Sequence, residues 1–289
     1  MKTLATAVLT VFFAAAGTAR AQDVHLEKLW ENTAVTTPES VAWDAHNKVF
    51  YASSINGSPM KKDGNGYISK IGPDGHTIKR EWITGLNAPK GVVVSRGKVY
   101  VADIDTLVEI DIKHGRILHR YPAAGAKFLN DTAAGPDGSI YVSDSFTQTI
   151  YRLHNGRLES WMTAAALNGP NGLLVQNGRL LVASMGSGKP PTPPASLHAV
   201  SLANQSISTI SKDLGHLDGL QADGHRGWFL TDWPTGRLLH VDRDGRSREL
   251  LTLSQGTADL DYVPSRHLLV IPVMMSNKLV AYRIITSHK

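Results

Sequence analysis

Pro170-Asn-Gly-Leu-Leu-Val-Gln-Asn-Gly-Arg-Leu-Leu-Val-Ala-Ser184 is the stretch whose reading decides the fold. A polar residue, Asn171, opens a short apolar strand over 171–175. Asn177-Gly178 then supplies the pair that turns a tight hairpin, and a second apolar strand follows over 179–183. The same unit recurs along the chain, opened in turn by Glu39, Lys90, Asn130, Asn171, Asp218 and Asp259, at spacings of 51, 40, 41, 47 and 41 residues. Second strands are expected over 48–52, 98–102, 139–143, 179–183, 227–231 and 267–271. Third strands are expected over 66–71, 107–112, 149–153, 196–201, 237–242 and 278–284, with fourth strands where the chain continues, as at 158–162 and 207–211. Four short strands in about 40–50 residues make a propeller blade. No run beyond the N-terminal apolar stretch sustains a helical period. The chain is therefore predicted to be all-β, a six-bladed β-propeller. A mixed β-sandwich is the alternative, and the regularity of the units favours a closed ring.

The sixth unit supplies three strands and then the chain stops. Residues 25–31 carry a spare strand pattern ahead of the first unit. This N-terminal strand is expected to close the last blade by pairing with 278–284, which shields open sheet edges.

Before that strand, Met1 and Lys2 precede an apolar stretch over 4–16 and then Ala19-Arg20-Ala21, a small-x-small cleavage site. Thirteen apolar residues fall short of the roughly 20 that span a bilayer, so a signal peptide over 1–21 is predicted. Gln22 then begins a single propeller domain, 22–289, in the periplasm or secreted. A membrane anchor or a buried N-terminal helix is the competing reading. No later segment is long and apolar enough to span a membrane. The formal charge of +5 falls to +3 without the leader, and no Lys/Arg run exceeds two. Nucleic-acid binding, which needs a basic stripe or a known motif, is not expected. The absence of cysteine excludes disulfides, thiolate nucleophiles and thiolate metal sites.

The lead residues begin the innermost strand of each blade, so they converge on the channel. Crowded carboxylates repel unless a cation or protons relieve them. Two carboxylates with carboxamide oxygens make a hard oxygen site, which suits calcium first and magnesium, manganese or zinc after it. The competing reading is a structural polar ring, because Asn-Gly and Asp-Gly are ordinary turn formers. Lys90 either neutralises a carboxylate or binds an anionic ligand. Asn130, Lys90 and Asp259, with His216 close to Asp218 in sequence, are the substrate-binding candidates; a solvated loop is the alternative for His216. Asp103, Asp144 and Asp232 end second strands and are expected to tie loops through backbone N–H groups. Trp43, Trp82, Trp161, Trp228 and Trp233 are expected to pack between blades. Two long loops, 53–65 and 185–195, leave the same ends of blades 1 and 4 and should wall the entrance.

Pro38-Glu39-Ser40-Val41-Ala42-Trp43, Asn130-Asp131 ahead of Pro136-Asp137-Gly138, Pro170-Asn171-Gly172-Leu173 and Asp218-Gly219-Leu220 occur in order, one per blade. On these pieces the chain resembles the SMP-30/gluconolactonase/luciferin-regenerating-enzyme-like family over about residues 37–284. The resemblance implies a six-bladed propeller with one divalent metal at the channel mouth, held by Glu39, Asn171 and Asp218. It also implies Asp218 as catalytic base or nucleophile and Asn130 as a contact to metal site or substrate. The implied reaction is hydrolysis of a lactone or related ester, with the metal polarising the carbonyl. Sugar-lactone members carry an arginine two residues before the blade-3 asparagine. Phe128 stands there in this chain, which leaves a more apolar ester or lactone open. A non-catalytic propeller binding a small ligand or peptide at the channel mouth is the alternative, and a structural envelope protein is a third.

Overall fold

The computed structural model describes residues 23–187 and 192–287. The predicted signal peptide and the mature start at Gln22 lie outside them. The described residues form six four-stranded antiparallel sheets arranged as blades around a channel. Blade 4, which contains the quoted stretch, runs Pro170–Gln176, Arg179–Ser184, Ala195–Ser201 and Ile207–Gly215 from the channel outwards. Blades 1, 2, 3 and 5 repeat that order, with inner strands Pro38–Asp44, Pro89–Ser95, Leu129–Ala134 and Leu217–Ala222. Both faces of each second strand meet a neighbouring blade. Leu180, Leu181, Val182 and Ala183 are accordingly all buried, although alternate side chains point to opposite faces. The core is divided into wedges between successive blades. Tyr51, Ile68, Val92 and Val101 fill the one between blades 1 and 2, and Leu197, Leu217 and Leu230 the one between blades 4 and 5. Full burial of each Val, Leu or Ile stabilises by about 1.5–3 kcal/mol.

Blade 6 takes its outer strand from the other end of the chain. Asp23–Asn32 pairs antiparallel with Lys278–Ser287, placing Leu26 opposite Ile284 and Glu31 opposite Val280. Leu26 packs into the wedge between blades 5 and 6, and Trp30 into that between blades 6 and 1. Glu27–Arg283 (3.1 Å) and Glu31–Lys278 (3.3 Å) are exposed ion pairs and add little to this burial.

The inner strand of blade 6 is shorter than its sequence predicts. It spans Asp261–Val263 and not the stretch from Asp259. The Asp259 N–H donates instead to Glu39 O (2.9 Å), so the chain here pairs with blade 1 before it joins its own blade.

Candidate functional site

Five lead residues, Glu39, Lys90, Asn130, Asn171 and Asp218, form the polar floor of a cavity of ≈ 210 Å³ at the channel mouth. Neighbouring inner strands approach closely enough that the next position leaves little room. A Cβ on Gly91 would collide with Asp131 Cα, and one on Gly172 with Asp218 O. These glycines sit in extended strands, so close approach and not turn chemistry explains the Asn-Gly and Asp-Gly pairs.

The second-strand aspartates fix the approach to the floor. Asp103 accepts the N–H groups of Asn87 and Ala88, just before Lys90. Asp144 accepts those of Lys127 and Phe128, before Asn130, and also those of Phe146 and Thr147. Asp232 accepts that of His216, before Asp218. They brace the segment that leads into the same blade's inner strand, beyond the loop-tying role expected of them.

Lys90 is 1% exposed. Its Nζ donates to Ala88 O (3.1 Å) and lies 4.5 Å from the Phe128 ring centroid, a cation–π distance. Burial pushes the ammonium down to about 8, against the pull of the Glu39, Asp103 and Asp144 carboxylates. Glu39 and Asp218 are held well above the usual carboxylate range, first by burial and then by nearby carboxylates. Asn171 donates Nδ2 to Asp218 Oδ1 (3.1 Å) and Leu217 O (3.2 Å), while Asn130 donates Nδ2 to Ser145 Oγ (3.1 Å). Glu39 Oε2 and Asn171 Oδ1 are buried and accept no hydrogen bond. Such acceptors are costly to leave bare and mark where a ligand's donors fit.

The predicted divalent cation is corrected. Among the described residues no group of three or more His, Cys, Asp or Glu is placed to hold a metal ion. Of Glu39, Asn171 and Asp218, only two are carboxyls, and Asn171 turns its amide N–H to Asp218. The cluster of ligands expected to hold calcium, magnesium, manganese or zinc is thus not found among the described residues. Burial and mutual repulsion hold both carboxyls high, and the Lys90 ammonium opposes this at Glu39.

Asp259 does not join the floor. Its Oδ2 accepts the Ser40 hydroxyl (2.6 Å), and the residue lines a second cavity of ≈ 230 Å³ along the channel, with Asp131 and Asp261. His216 does reach the first cavity. Its Nδ1 donates to Met185 O (2.8 Å), which in the neutral ring leaves Nε2 as an acceptor.

The walls are apolar: Ile55, Pro59, Phe128, Met185, Trp233 and Met274. Ile55 and Pro59 come from one long loop and Met185 from the other. Trp43, Trp82, Trp161 and Trp228 pack in the wedges as expected. Trp233 departs from that expectation and lines the cavity. Sequence reading also missed Met274, although it directly follows the end of a second strand.

No family model matches the chain, and no curated protein matches it. Solved structures do. A gluconolactonase from Xanthomonas campestris shares 18% identity at a TM-score of 0.68, with 94% of each chain covered. This chain structurally resembles SMP-30/gluconolactonase-like propellers. A catalytically inactive virginiamycin B lyase from Staphylococcus aureus, solved with quinupristin, shares 12% identity at a TM-score of 0.63, covering 91% of this chain and 100% of that one. A streptogramin B lyase shares 13% at 0.65, covering 93% and 100%. At such identities the likeness is one of fold. No helix among the described residues is long and apolar enough to cross a membrane.

Proposed function

We propose that this propeller hydrolyses a lactone or related ester at the channel mouth. The observation that carries this reading is a single cavity joining an ammonium, two carboxyls and two unpartnered acceptor oxygens to an apolar wall. Lys90 donates to the substrate carbonyl and holds the oxyanion that forms on attack. In its ionised form Asp218, made a stronger base by its burial, takes the proton of the attacking water and returns it to the leaving oxygen as the C–O bond breaks. Asn130 and Asn171 orient the substrate, and His216 offers Nε2 beside it. The fold, which the chain has in common with a gluconolactonase, supports a hydrolase. Phe128 before Asn130 supports a less hydroxylated substrate than a sugar lactone. The apolar leader over 1–21 supports export to the periplasm or the cell exterior, and Met1 retained on exported protein would overturn that part.

A panel of γ- and δ-lactones, aryl esters and gluconolactone tests the activity. Apolar members should turn over faster than gluconolactone. Saturable binding with no turnover of any member would replace hydrolysis with the binding-module reading.

A further inference from the structure

In every blade, the segment that joins the second strand to the third brings an apolar side chain to the mouth. These are Ile55, Ile104, Phe146, Met185, Trp233 and Met274 in blade order. Ile55, Ile104 and Met274 pack together with Ala88 as one cluster at the opening. The collar's exposed edge is formed by its own Phe146 together with Met60 and Met275; Met60, Phe146 and Met275 are 47%, 55% and 60% exposed. They are half of the large apolar side chains exposed among the described residues. The others, Leu29, Ile78 and Ile285, lie on strands at the outer side of blades 6 and 1. Scattered exposed apolar residues are ordinary, but a rim of them around a cavity is not.

The rim is continuous with the cavity. Phe146 stacks on Phe128 with ring centroids 4.5 Å apart and planes 11° apart. Phe128 lines the cavity, so an apolar track runs from beside the Lys90 ammonium out over blade 3. Met60 and Met275 directly follow the lining residues Pro59 and Met274. The cavity itself, at ≈ 210 Å³, is smaller than the about 300–1,000 Å³ that encloses a whole drug-sized ligand. It has room for a polar head and leaves the rest of a longer molecule on the rim.

We infer that the substrate carries a linear acyl tail, and that Phe146, Met60 and Met275 select for its length. The ester chemistry of the head rests on the hydrolase reading above; the tail surface rests on the collar. The tail leaves water as it lies on the rim, so affinity grows with each methylene until the chain passes the last apolar contact.

The test is a series of p-nitrophenyl esters from acetyl to dodecanoyl, with wild type and the double variant Phe146→Ser/Met275→Ser. In wild type, kcat/KM should rise roughly threefold to fourfold per methylene over the lengths that reach the rim, mainly through KM. The double variant should lower the dodecanoyl-to-acetyl ratio of kcat/KM by about tenfold or more, the equivalent of two methylenes. A flat series in wild type, or a ratio that the variant leaves unchanged, overturns the tail while hydrolysis of the short esters stands. If no ester is hydrolysed, the hydrolase reading fails, and titration with dodecanoate followed by Trp fluorescence decides the tail by itself. Saturable binding weakened in the variant supports it, and no binding overturns it. Binding to phosphatidylglycerol vesicles that the variant loses, with an unchanged ester ratio, also overturns it and makes the rim a membrane contact.

Discussion

The two cavities along the channel are lined by the same inner strands, yet their polar groups are treated differently. At the mouth, Glu39 Oε2 and Asn171 Oδ1 are buried without partners. Further along, carboxyls are used to join blades. Asp131 accepts the Leu173 N–H from blade 4 (2.6 Å), and Asp261 accepts the Trp43 N–H from blade 1 (2.6 Å). Ser40 links blades 6 and 2, donating to Asp259 and accepting the Val92 N–H (3.1 Å). Buried polar groups that hold backbone N–H groups make the ring one body. Those left open at one end of the same strands are poised for a ligand. The chemistry of the side chain does not separate the two roles, because aspartate serves in both; the partner does.

The largest expected break in this comparison is Asp218→Asn. Burial favours the neutral carboxyl at this position, and asparagine has its shape, so the melting temperature should hardly move. Turnover should fall by about 10²–10⁴-fold. Hydrolysis of the best ester and a thermal melt together check it, and equal turnover would remove Asp218 from the reaction. Next in size is Lys90→Met, which keeps the volume and loses the donor. We expect kcat to drop by about 10²–10³-fold with no loss of stability, because a buried ammonium is itself costly. A variant that keeps kcat but unfolds at lower temperature would make Lys90 a structural counter-charge.

The other cavity should answer in stability. Asp131→Ala strips the acceptor from the Leu173 and Thr132 N–H groups. Denaturant unfolding should show a loss of about 1–3 kcal/mol, with KM for the short ester unchanged. A stability equal to wild type would mean that these bonds do not hold the ring. The smallest effect is a pH dependence. Burial pushes Asp131 and Asp261 up to about 7, against the backbone N–H groups they accept. An unfolded carboxyl titrates near 3.9. The folded chain therefore keeps protons that the unfolded chain releases. Stability from these groups is full below the unfolded value and is lost as pH rises towards 7. Melting temperature should fall between pH 5 and pH 8 (about the upper part of that window), and less steeply in Asp131→Asn. A parallel slope in the two proteins would contradict this.

The blades were legible because each inner strand announces itself by a polar residue before an apolar run, and because the spare N-terminal strand matched a blade with one too few. The floor was legible for the same reason, in five of its six expected members. Asp259 was lost because its backbone pairs with Glu39 across the ring, a long-range contact that local pattern does not reveal. Asp131 and Asp261 were missed because their partners belong to other blades. The collar left a weak signal: Phe146 lies two residues beyond Asp144, and Trp233 directly beyond Asp232. One apolar residue past a strand end reads equally well as more core, and only the ring geometry turns all six toward one opening. The metal expectation failed because a list of oxygen-bearing side chains does not say which of them already hold each other.

The clasp of blade 6 also sets an order in time. Asp23–Asn32 emerges first among the described strands, and its partner Lys278–Ser287 emerges last. During synthesis the early strand has no mate for some 250 residues of chain, an interval that follows from its register with Arg283 and Val280. Blades 1 to 5 can each assemble from neighbouring sequence, whereas the circle shuts only at the end, through the contact of longest separation. Until then Asp23–Asn32 is an unpaired edge, and the apolar face of blade 1 that packs on blade 6 is uncovered. A chain halted anywhere before residue 278 is thus an arc with sticky ends, and quality control acting on this protein has one late event, the shutting of the ring, by which to tell finished molecules from unfinished ones.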